Sequence, residues 1–163
     1  ADAAIASAAG GSPLSGHCSQ CIASSFSQPA LRMLILFAGR RRPKSLRRSL
    51  ERLGVIVVTF EIRDDPRTQN LADASVQRAL LARVEGGEFD AVFMAPPCNS
   101  FCLALQPILR SRFEPEGMTP VPKQWAAYLR RNNALVQFTA DVCVAADQAG
   151  AAWFVENPAS REA

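Results

Sequence analysis

The residues best suited to chemistry in this chain are a cysteine and the two prolines that precede it. Pro96, Pro97 and Cys98 follow residues 89–95, an apolar segment that reads as a buried strand. Proline lacks an amide proton and cannot continue a central strand, so the prolines predict a turn that presents the thiol to water and ligand. A helix starting at about residues 99–101 would favour the thiolate, the form of cysteine that attacks carbon. The alternative is an inert buried cysteine that merely follows a turn.

Three further apolar segments also end in a glycine or a carboxylate, namely Gly39 after residues 31–37, Glu61 after 55–60 and Glu156 after 151–155. Short apolar runs of this kind are typical of buried parallel strands. In an open α/β sheet the ligand crevice lies beyond the carboxyl ends of the strands. The sequence therefore predicts one site along one edge of the sheet, formed by Gly39, Glu61, Cys98 and Glu156.

Helical patterns separate the predicted strands, as connections between parallel strands require. The first lies between Pro43 and Gly54, with leucines at helical spacing. A second covers residues 71–85, and a long third pattern runs over residues 122–148. Residues 103–121 contain several prolines and no clean period, so they are predicted to form a loop, or lid, beside the site.

Composition favours one domain in a reducing compartment. Residues 1–30 are rich in Ala, Ser and Gly and are expected to be a flexible lead-in to a partial α/β domain over residues 31–163. At 163 residues and 48% hydrophobic content, the chain can bury one core. No segment reads as a membrane span. The five cysteines are an odd number without a disulfide framework, which indicates the nucleus or cytoplasm.

The single histidine, His17, precedes Cys18 and Cys21 in a pattern that could form half of a zinc site. No second pair of ligands follows at suitable spacing, so no metal site is expected. Cys102 and Cys143 are interpreted as packing residues. With its one histidine in the lead-in, the chain has no obvious base for Cys-His or Ser-His catalysis, which argues against a cysteine hydrolase.

Basic residues are concentrated directly after the first predicted strand, in Arg40, Arg41, Arg42, Lys44, Arg47, Arg48 and Arg52. The net charge of the whole chain is only +3, so this cluster makes the charge distribution uneven. Such a cluster can neutralise the phosphates of DNA or of another polyanion, with binding that weakens steeply as salt rises. The alternative is a solvated helix face that is partly paired with Glu51.

These motifs resemble, in the same order, those of the DNA (cytosine-5) methyltransferases. That family has a Phe-x-Gly loop, an acidic residue after the second strand, a Pro-Pro-Cys loop and a Glu-Asn-Val. The counterparts here are Phe37-Ala38-Gly39, Glu61, Pro96-Pro97-Cys98 and Glu156-Asn157-Pro158. The resemblance covers about residues 31–158. It implies a Rossmann-like S-adenosylmethionine-dependent methyltransferase fold, with a mostly parallel sheet and flanking helices.

The resemblance implies a mechanism in which Cys98 and Glu156 are catalytic. The Cys98 thiolate would add to C6 of a cytosine flipped out of DNA, and Glu156 would hydrogen-bond the ring near N3. The C5 carbon would then take the methyl group of S-adenosylmethionine. Covalent addition suits this chemistry because a pyrimidine carbon is a poor nucleophile until an enamine forms, and a carboxyl group at the ring edge stabilises the developing charge.

The resemblance also implies which residues would bind S-adenosylmethionine. Those that would line the cofactor are Phe37, Ala38, Gly39 and Pro96. Glu61 would accept hydrogen bonds from the ribose hydroxyls, as an acidic residue does in dinucleotide-binding folds. Asp73, at the start of a predicted helix, would be the acidic contact to adenine.

The chain departs from the family at Arg40, Arg41 and Arg42, where the family's first loop continues with glycines, and at Asn99, which replaces a glutamine. The family's later arginine motif and target-recognition region have no counterpart in it. The resemblance therefore implies DNA as the substrate, together with a missing target-recognition segment or partner chain. Two other functions stay open: a catalytically degenerate methyltransferase-like domain that binds nucleic acid, and a small α/β enzyme that binds a nucleotide or sugar phosphate.

Overall fold

The fold consists of a four-stranded sheet with flanking helices, seen in a computed structural model that describes residues 29–102 and 105–157. The elements in chain order are β1 (Arg32–Leu36), α1 (Leu46–Arg52), β2 (Ile56–Phe60), α2 (Ala74–Glu85), β3 (Ala91–Met94), α3 (Lys123–Gln148) and β4 (Ala152–Val155). A single 3-10 turn, Asn99–Phe101, follows β3. Most of the predicted lead-in lies outside the described residues.

The four strands are all parallel, in the order β2-β1-β3-β4. Leu36 of β1 pairs with Phe60 of β2 and with Met94 of β3, and Met94 pairs with Val155 of β4. The last residues of the strands therefore lie side by side at one edge of the sheet. The prediction of an α/β fold with a mostly parallel sheet and flanking helices is confirmed, and the arrangement is compatible with a Rossmann-like fold.

The hydrophobic core lies between the sheet and the pair of helices α2 and α3. Its largest fully buried side chains are Leu34 and Leu36 of β1, Val92 and Met94 of β3, Leu80 and Val84 of α2, and Phe138 and Val142 of α3. The strand members are two residues apart and the helix members four apart, which are the spacings that place both side chains on one face. The apolar pattern of the sequence thus supplies a core on this side of the sheet.

The helix α1 lies on the opposite side, beside β2, and it buries none of its residues. Leu46 and Leu53, two of the leucines that predict the helix, are 43% and 79% exposed. Leu53 is the C-cap of α1 rather than part of it. The leucine spacing correctly indicates a helix, but Leu46 and Leu53 do not belong to the hydrophobic core.

Capping residues set the helix starts more sharply than the apolar pattern does. The Ser45 hydroxyl accepts the N–H of Arg48 at the start of α1, and the Asp73 carboxylate accepts the N–H of Ser75 at the start of α2. These caps explain why α2 begins at Ala74 and not at residue 71, where the predicted helix starts. In the part of the chain that the structure describes, none of the helices has the length and apolar character needed to cross a membrane.

Candidate functional site

The edge formed by the strand ends carries the four residues predicted to form one site. In the order of the strands across the sheet, these are Glu61 after β2, Gly39 after β1, Cys98 after β3 and Glu156 after β4. The backbone N–H of Glu156 donates to the carbonyl oxygen of Met94 at 2.9 Å, so the ladder between β3 and β4 continues up to the exposed glutamate. Parallel strands therefore bring residues from distant parts of the sequence to the same edge.

Glu61 joins the loops that follow β1 and β2. Its carboxylate accepts the backbone N–H of Gly39 at 2.8 Å and that of Arg63 at 3.1 Å, and the residue is 9% exposed. The loop after β1 has left-handed backbone at Phe37, with φ +57°, and at Gly39, with φ +70°. This conformation is uncommon for a residue with a β-carbon, and such residues cluster at functional sites. Glu61 and the β1 loop thus form one hydrogen-bonded unit.

A cavity of about 320 Å³, which we call the Glu61 cavity, opens beside this unit. Its apolar wall includes Phe37, Ile62, Leu71 and Leu135. Pro97 also belongs to the wall, so the turn that carries Cys98 borders the cavity. An apolar cavity with a few polar groups is typical of sites for small organic ligands.

The structure divides the residues predicted to bind the cofactor into two groups. Phe37, Gly39 and Glu61 are in the wall of the Glu61 cavity, whereas Ala38, Pro96 and Asp73 are not. Pro96 is buried within the turn after β3. Ala38 lines a different cavity, described below.

Asp73 has a structural role at the start of α2. Its carboxylate accepts the Ser75 hydroxyl at 2.6 Å and the Ser75 N–H at 2.7 Å. These hydrogen bonds, the side-chain one foremost, lower the pKa of Asp73 below its ordinary value. The wall of the Glu61 cavity next to it is formed instead by Asn70, Leu71 and Ala72.

Cys98 is half-buried at the exit of β3. Its backbone angles, φ −93° and ψ −4°, fall in the sparsely populated bridge region, where many active-site residues lie. A helix does begin at Asn99, as the sequence predicts, but it is a single 3-10 turn of three residues. So short a turn does not supply the N-terminal charge of an α-helix, so the thiolate argument from a helix dipole loses its support.

The other two described cysteines differ from each other. Cys143 packs against the core as predicted, and burial raises the pKa of its thiol. Cys102 is exposed, so its interpretation as a packing residue is wrong. Cys102 is the C-cap of the 3-10 turn and so lies outside the helices and strands that form the core.

Arg110 is a buried cation beside the Cys98 turn, 8% exposed. Its Nε donates to the Ser100 hydroxyl at 3.1 Å, and its guanidinium carbon lies 4.1 Å from the centre of the Phe101 ring. Its Nη1 donates to the carbonyl oxygen of Pro115, while Nη2 is buried without a partner among the described residues. Burial lowers the pKa of Arg110. This side chain links the loop before α3 to the turn that carries the thiol.

Most of the basic residues predicted to bind nucleic acid surround a second cavity of about 390 Å³, which we call the arginine cavity. The arginines in its wall are Arg40, Arg41, Arg42, Arg47 and Arg48, and Lys44 is not among the wall residues. Two of them are paired, Arg47 with Glu51 at 2.7 Å and Arg41 with Asp64 at 2.9 Å. The cluster is therefore partly neutralised, as the alternative of a solvated helix face expects, and partly free.

Sequence reasoning missed several residues that the structure brings to this edge. Ile62 in the wall of the Glu61 cavity follows β2 closely, so its position in the sequence could have indicated it, whereas Leu71 comes only shortly before α2. Arg131 also reaches this wall, from α3. No sequence signal marks Arg110, because it and its partner Ser100 lie in irregular segments 10 residues apart.

No group of three His, Cys, Asp or Glu side chains within residues 29–102 and 105–157 is placed to hold a metal ion. The pattern of His17, Cys18 and Cys21 lies outside the described residues. A comparison of this chain with protein-family models, with curated proteins and with solved structures finds no match.

Proposed function

We propose that this chain is the catalytic half of an S-adenosylmethionine-dependent DNA (cytosine-5) methyltransferase. The observation that carries the proposal is the wall that the Glu61 cavity shares with the Cys98 turn through Pro97. A methyl donor and the nucleophile that activates the acceptor base must be neighbours. The strand order β2-β1-β3 brings the proposed cofactor site and Cys98 next to each other. The strands β1 and β2 end at the Glu61 cavity, and the adjacent strand β3 ends at the turn that carries Cys98.

The Glu61 cavity has features that suit S-adenosylmethionine, whose contribution when bound is an electrophilic methyl group. The two oxygens of Glu61 each accept one N–H, so each keeps a lone pair for a ribose hydroxyl. Ile62 and Leu71 offer apolar surface to the adenine ring. Phe37 and Gly39 form the wall nearest the end of β1. These contacts support the cofactor site without Asp73, which is occupied in capping α2.

In this proposal Cys98 and Glu156 act on the cytosine ring. The Cys98 thiolate forms a bond to C6, which moves electron density to C5, while the Glu156 carboxyl group hydrogen-bonds the ring near N3 and stabilises the charge that develops. The C5 carbon would take the methyl group, with S-adenosylhomocysteine as the leaving group. A water molecule would then accept the C5 proton, and the C6–S bond would break to release the thiolate and restore the ring. Glu156 is next to Cys98 along the strand-end edge, which agrees with this division of roles.

DNA is the proposed partner, held in part by the arginines that follow β1. Arg40 and Arg42 have no carboxylate partner among the described residues, so they are free to neutralise phosphates. Extruding a base from the duplex costs a few kcal/mol, which contacts on both sides of the duplex have to offset. We therefore propose that the chain works with a target-recognition segment or a partner chain.

Cofactor binding tests the first half of the proposal. Calorimetric titration of the folded chain with S-adenosylhomocysteine should give binding that Glu61→Gln weakens by about tenfold or more, since the amide loses one acceptor for the ribose hydroxyls. Glu85→Gln, at the end of α2 and outside the cavity, is the control that should leave binding unchanged. Absence of heat at millimolar ligand, from a sample whose circular dichroism is that of a folded protein, would contradict the proposal.

Covalent capture tests the second half. DNA containing 5-fluorocytosine, with S-adenosylmethionine present, should form an adduct that Cys98→Ser abolishes and Cys102→Ser leaves intact. We expect a weak adduct from this chain alone and a strong one when a target-recognition segment is supplied. A supplemented protein that binds both DNA and cofactor but forms no adduct would make the catalytically degenerate binding domain the better description.

A further inference from the structure

We propose that the arginine cavity is a second ligand site, for a phosphate monoester carried on a ring system such as a nucleoside 5′-monophosphate. The cavity lies on the α1 side of the sheet, and its volume of about 390 Å³ is in the range of small-molecule sites. It lies between the sheet and α1, a helix that buries none of its residues. The proposal does not depend on methyl transfer: the arginine cavity shares Phe37 and Gly39 with the Glu61 cavity, but its other wall residues are different.

The floor of the arginine cavity is a flat patch of sheet. Ile35 is the register partner of Thr59 on β2 and of Phe93 on β3, and all three belong to the wall. Register partners in a sheet project to the same face, so these side chains form a row across three strands, which spans roughly 10 Å. Ile35 in the middle of the row is 3% exposed, so the surface open to a ring is mainly that of the half-buried Thr59 and Phe93 on either side of it. The Thr59 hydroxyl offers one hydrogen bond to a ring heteroatom.

The rim of the arginine cavity carries more arginines than carboxylates, so it keeps a net positive charge. Five arginines in the wall face two carboxylates, Asp64 and Glu51, each of which is already paired. Arg40, Arg42 and Arg48 have no carboxylate within 4.0 Å in the described parts of the chain. Guanidinium groups bind phosphate through paired N–H donors, and several of them around one concavity suit a doubly charged anion.

The floor and the rim of the arginine cavity together indicate which class of ligand would bind there. A duplex backbone phosphate would use the rim but leave the row of Ile35, Thr59 and Phe93 empty, because its base stays in the stack. A carboxylate would bring one charge to three free guanidinium groups. A phosphate monoester on a ring uses both the floor and the rim, so it is the class that the cavity fits.

Titration of the full chain with cytidine 5′-monophosphate, cytidine and inorganic phosphate tests this inference. We expect the monophosphate to bind about tenfold or more tighter than either of the other two, since only it uses floor and rim together. The double variant Arg40→Gln/Arg42→Gln should lose about tenfold or more in affinity for the monophosphate. Arg112→Gln/Arg130→Gln, which removes the same charge from exposed residues outside both cavities, is the matched control and should bind as the parent does.

The remaining variants separate this site from the proposed cofactor site. Thr59→Val should weaken binding of the monophosphate several-fold. Arg131→Gln, at an exposed residue in the wall of the Glu61 cavity only, should leave monophosphate binding unchanged whether or not S-adenosylhomocysteine binds. The inference is overturned if inorganic phosphate binds as tightly as the monophosphate, if the double arginine variant binds like its control, or if only duplex DNA binds.

Discussion

At the scale of single residues, Cys98 and Arg110 show what a sequence can and cannot reveal about this site. The turn at Cys98 could be predicted because two prolines stop a strand whatever surrounds them. Arg110 could not, because its position beside that turn depends on how an irregular loop packs. A buried guanidinium is costly unless it is hydrogen-bonded, and Arg110 satisfies two of its nitrogens while leaving Nη2 without a partner in the described structure.

The hydrogen bond between Ser100 and Arg110 should be visible in a double-mutant cycle. Ser100→Ala and Arg110→Met should each lower the free energy of unfolding by about 1 to 3 kcal/mol, because each leaves a buried polar partner unsatisfied. The double variant removes both partners, so it should cost less than the sum of the single variants, by about 1 kcal/mol. Urea unfolding of the four proteins measures this, and strictly additive costs would show that the two side chains are not coupled.

At the scale of elements, the strands were the most predictable part of the fold and α1 the least. A short apolar run bounded by turn residues predicts a buried strand, and helical crossovers predict that the strands are parallel. The parallel sheet and its strand-end residues therefore followed from the sequence, whereas the spatial order β2-β1-β3-β4 did not. The leucines of α1 have helical spacing, yet Leu46 and Leu53 are exposed because spacing does not say whether a helix lies over the sheet. The arginine cavity lies beside this exposed helix, so helical spacing in the sequence could not predict it.

The cap of α2 should make part of the stability depend on pH. Hydrogen bonds from Ser75 lower the pKa of Asp73, so the folded state favours the ionised carboxylate. The stabilisation is present above the unfolded-state pKa of about 3.9 and is lost as the pH falls through the lower folded-state pKa. The stability gap between the parent and Asp73→Asn should therefore narrow from pH 7 toward pH 2, as thermal unfolding can measure. A gap that stays constant over this range would contradict the assigned role.

The unequal packing of α1 and α2 should appear in two matched substitutions. Leu80→Ala on α2 should cost about 2 to 5 kcal/mol, because Leu80 is 1% exposed and its loss leaves a cavity in the core. Leu50→Ala on α1 removes the same atoms from a partly buried position outside the core and should cost less than about half as much. Chemical denaturation of both variants compares them. Equal costs would mean that α1 contributes to the core as much as α2 does.

At the scale of the whole molecule, the two faces of the sheet differ in what covers them, and β4 is exposed as an outermost strand. The side with α2 and α3 holds the core, whereas the side with α1 holds the arginine cavity. The outermost strand on one side is β4, which pairs only with β3 among the described residues. Its side chains Trp153, Phe154 and Val155 are 45%, 55% and 41% exposed. The sequence predicts β4 as a buried strand because its residues are apolar. Its place at the edge depends on the strand order, which apolar runs do not encode.

An apolar edge strand without lysine or proline is a template for pairing with another strand. In a purified sample the strands available to pair with β4 are the two edge strands of a second copy, β4 and β2, so the chain should self-associate as its concentration rises. Phe154→Lys places a charge in the middle of that edge and should shift association to about tenfold higher concentration or more. Stability should change little, because Phe154 is 55% exposed. Sedimentation velocity over a concentration series measures both proteins, with Val144→Lys on the exposed face of α3 as the matched control. If the parent and Phe154→Lys sediment alike as monomers at every concentration, the exposed edge of β4 does not pair with a second copy.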